Sequence, residues 1–186
     1  MDTLSFPSSR DFRRWLTANH SQSDGIWLRI YKKDSGVATV SYAEALDQAL
    51  CFGWIDGQKQ PYDKRSWLQK FTPRRPKSGW SKNNTRHAER LMKSGDMAAA
   101  GLKQVNAAKA DGRWQAAYES FSNARVPDDF LKLLSQNKKA EAFFRTLNKT
   151  NLYSVVYRLQ TAKKRETRDR RMQSILEQLA RGEKFH

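Results

Sequence analysis

The residues best suited to chemistry in this sequence are the arginines, lysines and aromatic residues between Lys64 and Arg90. This segment holds nine basic residues against one acidic residue, Glu89, with Trp67, Phe71 and Trp80 interleaved. Arginine binds phosphate through paired hydrogen bonds, and an aromatic ring offers a face on which a nucleobase stacks. The pattern therefore predicts binding of an anionic, phosphate-bearing partner such as nucleic acid. The candidate ligands are Arg65, Lys70, Arg74, Arg75, Lys77, Trp80, Lys82 and Arg86.

An alternative interpretation of the same segment is structural. Trp67 and Phe71 are four residues apart, so on a β-strand they share one face and would both belong to the core. The charged residues would then form a solvent-exposed rim. Ser81, as the predicted N-cap of the next helix, would still leave backbone N–H groups at a helix start, where anions bind.

A second basic segment covers residues 163–171, with six basic residues against two acidic ones. It is predicted to begin a helix, where the helix dipole disfavours cations. One interpretation is that an anionic partner offsets this charge. The candidate ligands in that case are Lys163, Lys164, Arg165 and Arg168. The other interpretation, which we favour, is that Glu166 pairs with Arg170 four residues later and the remaining side chains are exposed.

The Trp54-Ile55-Asp56-Gly57 stretch provides the main alternative to an anion-binding surface. An aspartate at the end of a strand is placed to act as a general base or to orient a ligand. More often Asp-Gly is turn chemistry, in which the aspartate bonds its own backbone and the glycine adopts a positive φ. The alternative hypothesis is a small-molecule-binding protein or enzyme with a pocket near Trp54, Asp56 and Trp80.

Other catalytic and metal chemistry finds little support in the sequence. His20, His87 and His186 lack metal-ligand spacing, and Cys51 lies on the apolar stripe of a predicted helix, where thiols usually only pack. Dinucleotide-binding, phosphate-loop and serine-hydrolase motifs do not occur. A Cys51–His87 pair stays open, since such residues meet only in the fold. We predict no catalytic residue, metal or cofactor, and we favour a binding module over an enzyme.

The N-terminal part of the sequence predicts a sheet accompanied by helices. Runs rich in β-branched and aromatic residues predict strands at residues 26–31, 37–40, 54–57 and 66–72. Ser8 and Ser41 are predicted helix N-caps, the second in a capping box with Glu44. Gly53 is a predicted helix stop.

From Ser81 onward the sequence predicts almost only helices, because apolar residues recur at helical spacing between short connections. Pro127 is expected at the first position of one of them. We therefore predict an α+β fold, with a small, mostly antiparallel sheet and helices followed by an all-helical C-terminal part. The domains are expected at residues 1–125 and 126–186, with the boundary in the Ser122 to Pro127 stretch.

Composition indicates a folded, strongly basic protein. The net charge is +16, the isoelectric point is about 10.2, and six Trp, six Tyr and nine Phe argue against disorder. Such charge favours phosphates or nucleic acid as partners, although it would also serve solubility alone. No run approaches a membrane span, and residues 1–16 lack the apolar stretch of a signal peptide, so we expect a cytoplasmic location.

Three stretches of the sequence carry a family resemblance. They are Tyr42-Ala43-Glu44-Ala45-Leu46 running into residues 50–58; Phe71-Thr72-Pro73-Arg74-Arg75 continuing through Ser78, Trp80 and Ser81 to Asn84 and Arg86; and Val126-Pro127-Asp128-Asp129 with residues 162–168. Together they resemble the YdeI/OmpD-associated, or bacteriocin-protection (OmdA-like), family. The resemblance implies a link to bacteriocin protection, and it carries over no catalytic residue.

Overall fold

The computed structural model describes residues 1–119, 123, 125–162 and 164–185 of the chain. Contacts divide the chain into two units, Met1–Ala117 and Tyr118–His186. The domain boundary predicted between residues 125 and 126 lies next to residues 120–124, of which only residue 123 is described. Each unit is described by itself below.

A four-stranded sheet lies in the first unit. Its strands are β1 (Thr3–Leu4), β2 (Ile26–Tyr31), β3 (Trp54–Pro61) and β4 (Ser66–Pro73), in the spatial order β1-β2-β4-β3. β1 runs parallel to β2, whereas β2 pairs with β4, and β4 with β3, in antiparallel fashion. Together with the helices, this sheet confirms the predicted α+β class.

The strand predicted at residues 37–40 does not form. These residues follow a short 3-10 turn, Lys33–Ser35, and Gly36 leaves that turn with a φ of 70°. Val37 is 38% exposed, whereas Val40 is fully buried. The N–H of Val40 donates to the carbonyl of Phe6 at 2.9 Å. Val40 therefore anchors this loop to the core, and residues 37–40 do not pair as a strand.

The two faces of the sheet differ because buried and partly exposed residues alternate along β2. Ile26, Leu28 and Ile30 are at most 3% exposed and belong to one core with the helices of this unit. Those helices are α1 (Ser9–Asn19), α2 (Tyr42–Cys51), α3 (Lys82–Lys93) and α4 (Ala99–Ala110). The intervening residues of β2 point to the opposite face and are partly exposed.

Helices of the first unit begin and end where the local signals predict. Ser8 Oγ accepts a hydrogen bond from the N–H of Asp11 at 3.3 Å and caps α1. Ser41 and Glu44 complete the capping box of α2, since each side chain accepts from the other residue's backbone N–H. Gly53 follows α2 with a φ of 74°, which glycine adopts without steric cost.

Regular secondary structure in the second unit is helical, as predicted. Its helices are α5 (Asp128–Ser135), α6 (Lys138–Phe144), α7 (Lys149–Gln160) and α8 (Arg165–Ala180). Their core is formed chiefly by Phe130, Leu134, Val155, Leu159, Ile175 and Leu179. Pro127 is the N-cap of α5, so the helix begins one residue later than expected.

Candidate nucleic-acid interface

The open face, defined here as the face of β2 and β4 that points away from the helices, carries aromatic rings beside cations. The strand register places Trp27 of β2 opposite Lys70 of β4, so both side chains project from this face. Lys70 Nζ lies 5.7 Å from the centroid of the Trp27 ring, within the range of a cation–π contact. Both residues are partly exposed. They form the first of two ring-and-cation groups on the open face.

Arg29 forms the second group, between two tyrosine rings. Its guanidinium carbon lies 4.5 Å from the ring centroid of Tyr31 and 4.8 Å from that of Tyr62. Arg29 Nε donates to Ser66 Oγ at 2.9 Å, and Arg29 Nη2 donates to Asp63 Oδ2 at 2.6 Å. The guanidinium is therefore fixed, and it holds the two rings at defined positions.

Asp63 supplies the negative charge that orients Arg29. The hydrogen bond from the Ser66 hydroxyl, together with the N–H of Arg65 and the charge of Arg29, holds the pKa of Asp63 below its ordinary value. The carboxylate therefore remains charged at neutral pH. Because Asp63 offsets the charge of Arg29, Lys70 is the open-face cation with no acid recorded beside it among the described residues.

The rings are accessible enough to receive a ligand. Tyr62 is 52% exposed, and the Arg29 side chain is 28% exposed. Trp27 and Tyr31 are four residues apart on β2, which separates their Cα atoms by roughly 13 Å along the strand. Leu68, opposite Arg29 on β4, is only 5% exposed and forms an apolar floor between the two groups. Such a surface can stack unpaired bases and attract their phosphates.

Only part of the basic segment predicted from the sequence contributes to this face. Lys70 lies on it, beside Trp27. Arg65 lies at the β3–β4 turn, and its guanidinium donates to the carbonyl of Ser35. The remaining exposed candidate ligands of the segment lie on the loop after β4 and on α3: they are Arg75, Lys77, Lys82 and Arg86.

Two of the predicted anion ligands are buried instead. Arg74 is 5% exposed and Trp80 is 2% exposed. The guanidinium carbon of Arg74 lies 3.5 Å from the centroid of the Trp80 ring, and Arg74 Nη1 donates to the carbonyl of Gly79 at 3.2 Å. The Trp80 ring also lies 4.9 Å from the ring of Trp114. Arg74 and Trp80 therefore hold the loop between β4 and α3 together and present little surface to a partner.

The second basic segment forms ion pairs within the second unit. Arg168 of α8 makes a bidentate pair with Asp129 of α5, in which Nη2 donates to Oδ1 at 2.9 Å. The pair four residues apart is Arg165–Asp169, at 3.9 Å, where Glu166–Arg170 was expected. Lys164 precedes α8 and is exposed. The predicted ligand Lys163 lies outside the described residues.

The Asp129–Arg168 pair leads to a pH-dependent prediction. The hydrogen bond from Arg168 holds the pKa of Asp129 below its ordinary value of about 4. The pair therefore stabilises the fold above about pH 4, and this contribution is lost as the pH falls through the lower folded-state pKa. Because Asp129 is 54% exposed, Asp129→Asn is expected to cost at most about 1 kcal/mol at pH 7.

Hydrogen exchange of the α5 and α8 amides at several pH values measures this effect. Asp128→Asn is the matched control, since it removes the same charge from the same helical turn but leaves the Asp129–Arg168 pair intact. The difference between Asp129→Asn and the wild type should shrink towards acid pH. A difference that is independent of pH, or equal in the control, would contradict the role assigned to the ion pair.

The three residues near which a pocket was expected, Trp54, Asp56 and Trp80, have different environments in the structure. Trp54 is 1% exposed, and its Nε1 donates to the carbonyl of His20 at 3.1 Å. Asp56 instead accepts a hydrogen bond from the hydroxyl of Tyr42 at 2.7 Å. Tyr42 lines a groove of about 650 Å³ on the helix-bearing side of the sheet. Of the three expected residues, Asp56 alone lies next to this groove.

His87 and Cys51 do not resemble a nucleophilic pair. His87 Nδ1 contacts Asp47 Oδ1 at 2.7 Å, and Arg90 Nη2 donates to the same carboxylate at 2.6 Å. Cys51 is fully buried, and its burial raises the pKa of the thiol, so the reactive thiolate is disfavoured. No cluster of metal-ligating side chains and no helix able to cross a bilayer occurs in the described part of the chain.

Sequence reasoning missed most of the open face. Trp27, Arg29 and Tyr31 were recognised only as parts of a strand, and Tyr62 was not considered. The available signal was the alternation of β2, in which every second residue is apolar and the others are aromatic or basic. That alternation indicates one buried and one accessible face, and the accessible one carries the stacking groups.

One family model matches most of the first unit. A model described as a domain of unknown function, DUF8412, matches residues 4–104, more than half of the chain. The chain belongs to this family. The match includes β2, β3 and β4, and therefore the whole of the open face. The first two stretches of the resemblance predicted from the sequence also lie within it.

A second family model covers the helical unit. It is described as bacteriocin-protection, YdeI or OmpD-associated (OmdA), and it matches residues 123–182. This match confirms the family resemblance predicted from the sequence, and it spans α5 to α8. The third stretch lies within it, and the Asp129–Arg168 pair joins the two halves of that stretch. No curated protein and no solved structure matches the chain.

Proposed function

We propose that this protein binds single-stranded nucleic acid on the open face of its sheet. The observation that carries the proposal is the pair of ring-and-cation groups, Trp27 with Lys70 and Arg29 with Tyr31 and Tyr62. Aromatic rings on an accessible sheet stack unpaired bases, and nearby cations attract the phosphates.

The geometry favours single strands over duplexes. In a duplex the faces of the bases are already stacked on one another, so protein rings cannot reach them without opening the helix. Two rings of the open face, those of Tyr31 and Tyr62, lie against Arg29, which is fixed by Ser66 and Asp63, so little ordering of this group remains to occur on binding. A preorganised stacking surface loses less entropy when the ligand binds.

The charge of the whole chain supports an electrostatic contribution to this binding. The net charge of +16 creates a field that attracts polyanions from solution. Exposed cations such as Arg75 and Lys77 add to this field without touching the stacked bases. Affinity is therefore expected to fall as salt rises, because each phosphate contact releases bound counterions.

Fluorescence anisotropy with a labelled single-stranded oligonucleotide of mixed sequence, from ~50 to ~200 mM salt, tests the proposal. Tyr62→Ala should weaken binding about five-fold or more, equivalent to ~1 kcal/mol for one lost stacking contact. Lys70→Glu should also weaken binding and make its salt dependence shallower.

Matched controls distinguish a loss of open-face contacts from the general effect of changing a surface charge or removing an exposed ring. Lys103→Glu makes the same charge reversal on α4, and Tyr157→Ala removes a tyrosine that is 41% exposed in the second unit. Both controls should bind within about two-fold of the wild type. Equal losses in controls and open-face variants, or no binding at ~50 mM salt, would rule the proposal out.

A further inference from the structure

The groove beside Tyr42 is a concave feature of the first unit that borders the open face at Tyr31. Ile30 and Trp67, which are opposite each other in the β2–β4 register, both line it. Ile30 is one of the buried residues of β2, so the groove lies on the side of the sheet that bears the helices. Its volume of about 650 Å³ falls within the ~300–1,000 Å³ that small-molecule sites occupy.

Two aromatic rings line one side of the groove in fixed positions. The centroids of the Tyr42 and Trp67 rings lie 6.2 Å apart at an interplanar angle of 46°. The Tyr42 hydroxyl donates to Asp56, and burial followed by the charge of Asp56 raises the pKa of Tyr42, so this hydroxyl keeps its proton at neutral pH. The Asp56 hydrogen bond therefore fixes the orientation of the Tyr42 ring.

Lysines surround the groove. Lys32 and Lys33 line it, and both are exposed. Lys59 Nζ lies 4.2 Å from the centroid of the Trp67 ring. Of the acids nearby, Glu44 accepts hydrogen bonds in the capping box and Asp56 accepts from Tyr42. Two of the neighbouring carboxylates therefore already have partners, whereas Asp34, which follows Lys33 in the chain, is exposed.

We propose that this groove binds a small planar aromatic anion of mononucleotide size. The aromatic ring of the ligand lies against Trp67 and Tyr42, and its acidic group faces Lys32 and Lys33. Charge complementarity selects an anion, and the two rings select a flat apolar body. The proposal does not rest on nucleic-acid binding, because the rings that it uses, Trp67 and Tyr42, are not among the open-face rings, although Tyr31 lines the groove as well.

Isothermal titration calorimetry with AMP, adenosine and inorganic phosphate tests the proposal on the full chain. AMP should bind at millimolar or lower concentration. Adenosine, which lacks the phosphate group, and inorganic phosphate, which lacks the aromatic ring, should each bind at least ten-fold more weakly. Lys33→Glu and Val37→Glu should each weaken AMP binding at least ten-fold. Val37 is an exposed residue of the groove wall, so its replacement leaves the core untouched.

Lys103→Glu is again the control for charge, and it should leave AMP binding unchanged. The groove variants should keep wild-type affinity for the single-stranded oligonucleotide, whereas Tyr62→Ala should keep wild-type affinity for AMP. No heat with AMP at millimolar concentration, or unaltered AMP binding in both groove variants, would overturn the proposal. AMP binding that is lost in Tyr62→Ala instead would assign the nucleotide to the open face and would also overturn it.

Discussion

Replacing Trp80 with alanine is expected to destabilise the first unit by about 3–5 kcal/mol, the usual cost of emptying a buried tryptophan site. Trp80 is 2% exposed and belongs to the core of this unit. Its ring contacts both the guanidinium of Arg74 and the ring of Trp114. Alanine would leave a cavity beside a buried cation. The loss of packing and the loss of the cation–π contact both contribute to the expected destabilisation.

Trp80→Phe is the matched variant for this prediction. It keeps an aromatic ring and removes the indole Nε1, which is buried without a hydrogen-bond partner among the described residues. Its cost should be clearly smaller than that of Trp80→Ala, because phenylalanine leaves a smaller cavity. Urea unfolding followed by tryptophan fluorescence reports on the first unit alone, since all six tryptophans lie there. Equal losses in the two variants, or a near-neutral Trp80→Ala, would contradict the structural role of this ring.

Gly101→Ala should also destabilise the first unit, by about 1–3 kcal/mol, although alanine is the better helix former. A Cβ atom at this position of α4 would lie 2.3 Å from the carbonyl oxygen of Cys51 and 2.7 Å from that of Leu50. Both oxygens belong to the backbone at the end of α2, which cannot rotate away as a side chain would. The overlap therefore outweighs the ~1 kcal/mol that alanine contributes through helix propensity.

Gly57→Ala makes the same chemical change where space is available. A Cβ atom there would lie 3.5 Å from Lys70 Cβ, an ordinary van der Waals distance. Urea unfolding should place Gly57→Ala within about 0.5 kcal/mol of the wild type. If Gly101→Ala proved as stable as the wild type, α2 and α4 could not approach as closely as described.

Local signals predicted the ends of elements well. Side-chain oxygens three residues before a free N–H, as at Ser8 and Ser41, act within one turn of the chain and need no tertiary context. The same holds for Gly53, whose positive φ ends α2. The α+β class followed from these signals together with the runs of β-branched and aromatic residues.

Features that depend on distant partners could not be predicted in this way. β1 has two residues, Thr3–Leu4, which are too few for a periodic pattern. It forms because these residues pair with the edge of β2. Arg168 was placed among surface ligands, yet its partner Asp129 lies 39 residues earlier in the chain. Residue spacing within one helix predicts ion pairs between side chains four residues apart, but it does not predict ion pairs with another helix.

The candidate site illustrates the same limit. Composition alone suggested that Arg74 and Trp80 face a phosphate-bearing partner, because arginine and tryptophan are frequent in such interfaces. In the fold they face each other, at 3.5 Å from guanidinium carbon to ring centroid. Lys70 remained at the surface because its strand register sets it opposite Trp27 on the open face. Whether a basic or aromatic side chain is accessible at the surface therefore depends on its strand register and its tertiary contacts.

The most direct test of the central claim is a proton–nitrogen NMR titration with a single-stranded oligonucleotide. The account predicts that the indole N–H of Trp27 and the amides of β2 and β4 shift first and most strongly. Signals from α5 to α8 and from the groove residues Val37 and Tyr42 should change little. Shifts confined to the second unit, or no shift at ~50 mM salt, where phosphate-dominated binding is strong, would contradict binding on the open face.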